Sequence, residues 1–357
     1  MKSNVTKIIV CVIIFCVVLF IFVYVEIVDV EPIDLESQNT YIHLLPQETN
    51  VVAGVKKNNN NITLSEIKRY ISIDNTTACE DDGDFSVAII DSGVFPHTAL
   101  KEKIATFVDF VYDKPLAYDD SGHGTQVSGI IAASKTKEDS GLAPFVNIVA
   151  LKVLNQNNVG DSDDIKEALK WVIRHQSEYN IRIVNMSIGF SFENNEELKE
   201  LCQEAYENDL IIVSAVGNKT VGETFDGMLD EHIILVGSME YDFENDKEYI
   251  ADYSQEIILE KGIYKPDIYT FGSNIYTTDS NTSYKGNENE EIHYSDKYIS
   301  VTGTSYSAAV ISGYLCNIIK NNPSYSIDEV INELYETDNY LYSEENKYQV
   351  PIARSSK

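Results

Sequence analysis

The sequence predicts an α/β protein: a doubly wound, mostly parallel sheet with helices on both faces, preceded by an N-terminal transmembrane helix. Three observations predict it. From residue 85 onward short, near-continuous apolar runs recur, FSVAII, NIVALKVL, IRIVNMSI, LIIVSAV and HIILVGSM, the pattern of strands covered on both faces. Amphipathic segments with helical spacing lie between them, so strand and helix alternate. Residues 8–25, IIVCVIIFCVVLFIFVYV, are eighteen consecutive apolar or aromatic residues without a charge, about the minimum that spans a bilayer.

Taken in chain order, residues 1–28 are a membrane anchor or signal segment. The sequence EIVDVEPIDLES after the apolar run has no Ala-x-Ala cleavage site, which favours an anchor over a cleaved signal. Lys2 and Lys7 precede the run and acidic residues follow it, so the N-terminus is expected inside and the bulk of the chain outside. The expected location is the cell membrane, single-pass, the alternative being secretion after cleavage. Residues 29–82 are polar, with the run Asn58 to Asn61 and the cluster Glu80, Asp81, Asp82, and read as a stalk or short pro-segment. Within them TLSEIKRYI is a short helix with Thr63 as a candidate cap.

Residues 83–345 carry the alternating pattern and form one domain, with 346–357 as a tail. In DSDDIKEALKWVIRHQ the spacing puts Ile165, Ala168, Leu169, Val172 and Ile173 on one helical face, behind an acidic first turn that suits the helix dipole. In NEELKELCQEAYEND, Leu198, Leu201, Cys202 and Ala205 do the same. SIDEVINELYET, residues 326–337, is a further helix near the end.

The 357 residues carry 27 Lys and Arg against 57 Asp and Glu, a formal net charge of -30. That balance argues against nucleic-acid binding, because phosphates must be met by basic residues. It favours cationic partners and solubility. Cys11 and Cys16 lie in the apolar run, and Cys79, Cys202 and Cys316 are scattered, giving neither a disulfide framework nor a metal-ligand spacing.

Three segments carry chemistry. VAIIDSGVF puts Asp91 where an apolar strand stops and a glycine turn begins. Taken alone, such a residue is an ordinary turn former. DDSGHGTQVSG sets His123 between two glycines before the helical segment TQVSGIIAA, with Ser121 as a candidate cap. The glycines admit close approach, and a helix N-terminus disfavours imidazolium, so the ring is expected to be biased toward the neutral form a general base needs. In GTSYSAAVISGYLCNIIK a helix should start at or just before Ser305. That position is close to free backbone N–H groups able to stabilise an oxyanion, and a serine hydroxyl there needs a neighbouring base.

The order Asp, His, Ser, together with VALKVLN at 149–155, VNMSIG at 184–189, VSAVGN at 213–218 and KPDIYTFG at 265–272, resembles the subtilisin-like serine proteases. The resemblance runs from about residue 83 to about 338. It implies a subtilisin-like fold and a serine endopeptidase with Asp91, His123 and Ser305 as catalytic residues and Asn218 as the oxyanion side chain. By the same resemblance Ser187, Ile188 and Gly189 form the edge that pairs with an extended substrate. The implied partner is a peptide or protein. No cofactor is required, and structural calcium is left open because no motif specifies a site. The layout is similar to bacterial leader peptidases that mature exported peptides. Two rival readings are a catalytically inactive subtilase-like binding or scaffold protein and a hydrolase of esters or lipids. Departures from the family pattern are Gln126, where the family has a second histidine in Gly-Thr-His, and Tyr306-Ser307-Ala308-Ala309, where it has Met-Ala-x-Pro. The bulk of Tyr306 beside the nucleophile is expected to alter the local pocket.

Overall fold

Ser86–Asp91 (β1) is buried at every residue, which explains why its sequence shows no polar alternation. It lies at the centre of a parallel sheet, and the computed structural model describes residues 41–43, 61–73, 85–134, 139–189, 195–219, 231–242, 245, 247–258, 264–336, 339–342 and 349–353. Ile104–Asp109 (β2), Asn147–Lys152 (β3), Ile181–Met186 (β4), Ile211–Ala215 (β5), Ile233–Asp242 (β6), Lys247–Ile250 (β7) and Ile268–Phe271 (β8) complete the sheet. Its order is β8-β6-β5-β4-β1-β3-β2, all parallel, with β7 antiparallel on β6. The strand order reverses at β1, whose neighbours are β3 on one side and β4 on the other. In open α/β sheets the crevice at such a reversal, beyond the carboxyl ends, is where ligands bind. Asp91 is the last residue of β1.

The period-2 geometry of the strands divides two cores. Val87 and Ile89 face one, shared with helices Leu64–Tyr70 (α1), His123–Ala132 (α2), Thr304–Asn321 (α5) and Ile327–Tyr335 (α6). Ala88 and Ile90 face the other, shared with Ser162–Tyr179 (α3) and Glu196–Glu207 (α4). Helices thus cover both faces, as the alternating sequence predicts. The expected apolar faces are present: Ile165, Ala168, Leu169 and Val172 of α3 are buried with Ile173 partly so, and α4 buries Leu198, Leu201, Cys202 and Ala205.

The two helices that carry the candidate chemistry, α2 and α5, pack on one another and on the same face of the sheet. A hairpin of Ile275–Thr278 (β9) and Tyr298–Val301 (β10) leans on the first turn of α2. There Thr277 Oγ1 and Thr278 Oγ1 donate to the carbonyls of Gln126 and Thr125, each at 2.9 Å.

The short helix within the segment read as stalk or pro-segment is α1, and it starts as predicted. The Thr63 hydroxyl accepts from the Glu66 N–H at 3.2 Å while the Thr63 N–H donates to Glu66 Oε2 at 2.8 Å, a capping box. Leu64, Ile67 and Ile71 are buried in the same core as α2 and α5. Ser65 and Lys68 bond to Asp139 and Ser140 of the main domain. Further upstream the backbone of Tyr41–His43 pairs antiparallel with Val159–Asp161. Residues 8–25 and Cys79 lie outside the described residues, and among the described residues no helix is long and apolar enough to cross a membrane. Cys202 and Cys316 are buried.

Because Ile67 is fully buried, Ile67→Ala should cost the domain about 2–5 kcal/mol, the usual range for emptying a core site. Urea unfolding measures this, and a helix that merely linked a stalk to the domain would leave the midpoint nearly unmoved.

Candidate active site

The buried carboxylate of Asp91 accepts the N–H of Ser92 at 2.7 Å and His123 Nδ1 at 2.7 Å, both on Oδ1. Asp91 is 0% and His123 3% exposed. A carboxylate only accepts, so Nδ1 carries the hydrogen and Nε2 is left as the ring nitrogen able to take a proton. Gly124 permits this closeness: a Cβ there would collide with the Gly93 carbonyl oxygen.

His123 itself opens α2, behind Gly122 at φ 100°. The cap expected from Ser121 is not made by that side chain, which bonds to Asn158 Oδ1 instead. The neighbouring Asp119 serves that end of the helix. Its Oδ1 accepts from the N–H groups of Ser121 and Gly122 at 3.2 and 2.7 Å and from Ser92 Oγ at 2.9 Å. Its Oδ2 accepts from Thr125 N at 2.8 Å and Thr125 Oγ1 at 2.7 Å. A short acidic side chain four residues before the histidine was the available signal, since Asp is a strong N-cap former. Lys152, fully buried at the end of β3, donates to Asp120 Oδ1 at 2.8 Å and to the carbonyls of Ser92 and Leu154, each at 2.6 Å. Its charge is thereby paired, and it closes the turn that follows Asp91.

The electrostatics differ from the sequence expectation of a ring biased toward neutrality. Burial does push the His123 pKa down, but the charge and hydrogen bond of Asp91, helped by Asp119, outweigh it and hold the pKa above the ordinary 6.5. The ion pair therefore contributes stability that is full below about 6.5 and is lost as pH rises through the raised value. A base that must be neutral becomes available only across that same rise.

Ser305 stands in the first turn of α5, which begins at Thr304, in agreement with the expected helix start. The hydroxyl donates to the Ser187 carbonyl at 3.0 Å, and Ser187 Oγ donates to the Ser305 carbonyl at 2.8 Å. Behind them Asn185 Nδ2 donates to Ser187 Oγ at 2.8 Å and Ser312 Oγ donates to Asn185 Oδ1 at 2.9 Å. Ser187 and Ile188 follow β4 directly and are buried, Ile188 in the α3 and α4 core. Any pairing with a substrate at 187–189 would accordingly use backbone, as strand addition does.

Asn218 lies beyond β5 and reaches the same helix end. Its Oδ1 accepts from Thr304 N and Thr304 Oγ1, each at 3.0 Å. With the oxygen so committed, the amide NH2 is the end free to act as a donor. The structure thus brings Asp91 and His123 into contact and holds Ser305 between Ser187 and the Asn218–Thr304 pair. Tyr306, next to Ser305, has its ring centroid 5.6 Å from that of His123.

A profile of the subtilase family matches residues 82–349. The chain belongs to the subtilase family. Serine protease AprX of Bacillus subtilis (strain 168) is 30% identical to this subtilase over 263 residues, 69% of the chain and 59% of AprX. A thermostable alkaline protease of Halalkalibacterium halodurans is 27% identical, over 84% of the chain and 75% of that protein. Among solved structures, Sphericase superposes with a TM-score of 0.61 at 26% identity, covering 75% of this subtilase and 87% of Sphericase. The likeness in AprX thus spans about three-fifths of that relative's length. Among the described residues of this subtilase no group of three or more His, Cys, Asp or Glu is placed to hold a metal ion.

The raised His123 pKa sets a test. The acid limb of kcat/KM should lie above about 6.5, and Asp119→Asn, which removes one of the charges that raise it, should move that limb toward acid. pH–rate profiles of the two proteins measure both.

Proposed function

We propose that this chain is an endopeptidase that cleaves peptide bonds through an acyl-enzyme. Ser305 attacks the carbonyl carbon. His123 Nε2 takes the hydroxyl proton and later returns it to the leaving amine. Asp91 holds the ring in the tautomer that exposes Nε2 and stabilises the imidazolium as it forms. The Asn218 NH2 and the backbone N–H of Ser305 hold the oxyanion, and residues 187–189 present backbone to an extended substrate. The observation that carries this reading is the buried 2.7 Å contact of His123 Nδ1 with Asp91, with the ring of Tyr306, the residue after Ser305 at a helix N-terminus, 5.6 Å from that of His123. That arrangement supplies an oriented base, a nucleophile and oxyanion donors together.

The eighteen-residue apolar run after Lys2 and Lys7 supports an anchored enzyme with its catalytic domain outside the cell. An anchored protease suits the trimming of a local exported peptide, as leader peptidases do, better than general digestion. The strand Tyr41–His43, added to Val159–Asp161, supports a pro-segment role for part of residues 29–82. Asn158, beside that edge, takes the Ser121 hydroxyl two residues before His123.

Full-length protein should react with a fluorophosphonate and hydrolyse peptides. Ser305→Ala and His123→Ala should each abolish labelling and lower kcat by at least about 10³-fold. Asn218→Ala should label slowly and lose about 10²–10³ in kcat, the range known for one such donor in a subtilisin. A folded parent that neither labels nor cleaves would overturn the endopeptidase reading.

A further inference from the structure

Tyr306 and Gln126 are two positions at which this chain departs from the family pattern, and the structure brings them together across 180 residues of sequence. The phenol hydroxyl donates to Gln126 Oε1 at 2.7 Å. Tyr306 is 1% exposed, so its bulk is packed inside. The ring runs inward beside His123, the two centroids 5.6 Å apart and the planes inclined by 49°.

The consequence lies in which elements the bond joins. Tyr306 directly follows Ser305 on α5, and Gln126 sits one turn after His123 on α2. One hydrogen bond therefore links the helix that bears the nucleophile to the helix that bears the base. Val127 and Ile130 of α2 and Ala308 and Ala309 of α5 are buried in the same core. Apolar packing tolerates small slides, whereas a 2.7 Å bond in a dry site has a narrow range of length and angle. The phenol is also held as a donor, because burial and then the charges of Asp91 and Asp119 push its pKa well above the ordinary tyrosine value.

We infer that Tyr306 and Gln126 act as a strut that sets the position of Ser305 relative to His123, each a positioning residue whose effect depends on the other. Neither touches the reacting atoms. The nucleophile turn is then held from two sides, by Ser187 at the end of β4 and by the strut from α2. The inference rests on Ser305 and His123 acting as proposed above.

The test is a double-mutant cycle in the full chain with Tyr306→Phe, Gln126→Leu and both together, each normalised to active sites titrated with a fluorophosphonate. A single change removes one end of the bond, whereas the double change replaces both ends by apolar groups of similar size. Each single variant should lose about tenfold in kcat with KM within about twofold, since misplacement of reacting groups costs rate rather than affinity. The double variant should lose about as much as either single variant, because all three lack the same bond; a double variant that recovers the parent's rate overturns the strut. Tyr306→Ala, which also uncovers the ring of His123, should shift the acid limb of kcat/KM to higher pH, because burial lowers that pKa. Thermal unfolding run in parallel identifies any variant that fails to fold. Single variants that keep kcat within twofold per titrated site overturn the strut, as does a double variant whose loss is the product of the two single losses. A parent that labels and cleaves while the cycle fails overturns the strut alone; a folded parent that does neither overturns both readings.

Discussion

The buried carboxylate of Asp119 is the joint on which the site depends. Its two oxygens take five hydrogen bonds, two from backbone groups just before α2, two from Thr125 within it and one from Ser92 after β1. Ser92 in turn accepts from the N–H of Gly124 at 2.9 Å. A strand end and a helix start are thereby locked to each other at the two residues that flank Asp91 and His123. Charge-assisted bonds of this kind are stronger than neutral ones, and removing the acceptor leaves several buried donors unsatisfied. The contact between Asp91 and His123 follows from that lock, because each is displaced by one residue from a group that Asp119 holds.

Burying this much charge is tolerable because each member has hydrogen-bond partners. Lys152 lies beneath the same turn with its ammonium on Asp120 and two carbonyls, and its charge sits 5.0 Å from the centroid of the Tyr118 ring. The cation balances one acid and pins the Ser92 carbonyl, so the turn after β1 is held from both sides. Asp91 and Asp119 remain as uncompensated negative charge around His123, which is why the ring favours protonation despite its burial. In the proposed mechanism the arrangement would stabilise the imidazolium formed on attack, at the cost of the neutral base at low pH.

Much of this was legible in the sequence, for reasons that particular residues make plain. Short apolar runs such as VAII, stopped by a glycine turn, fit strands covered on both faces, so β1 and the residue at its end were visible without coordinates. The helices α3 and α4 announced their faces through regular spacing. Ser305 stood at a helix start because Gly303 and small residues surround it. Less legible were features that depend on long-range contact. Ser121 carries an ordinary capping side chain, yet a positive φ at Gly122 turns it toward Asn158 and hands the helix to Asp119. The helix at 64–70 is flanked by polar sequence, and nothing local shows that Ile67 finds the core. The partnership of Tyr306 with Gln126 is invisible to any rule that reads one segment at a time.

Those contacts share a physical character that bears on how the chemistry is held. Strand ends fix Asp91 and Ser187 through the sheet, which is stiff because its ladder and its two cores resist displacement together. His123 and Ser305, by contrast, ride on the first turns of helices, where backbone groups lack intrahelical partners and local geometry is softer. Polar side chains are concentrated at those turns: Asp119 and Thr125 on one, and Asn218, Thr304 and Ser187 on the other. The same first turns that expose donors for an oxyanion are the ones that need bracing. The buried polar groups around the site are thus the counterpart of placing reactive residues at helix starts, and the bond from Tyr306 to Gln126 joins the two braced ends into one frame.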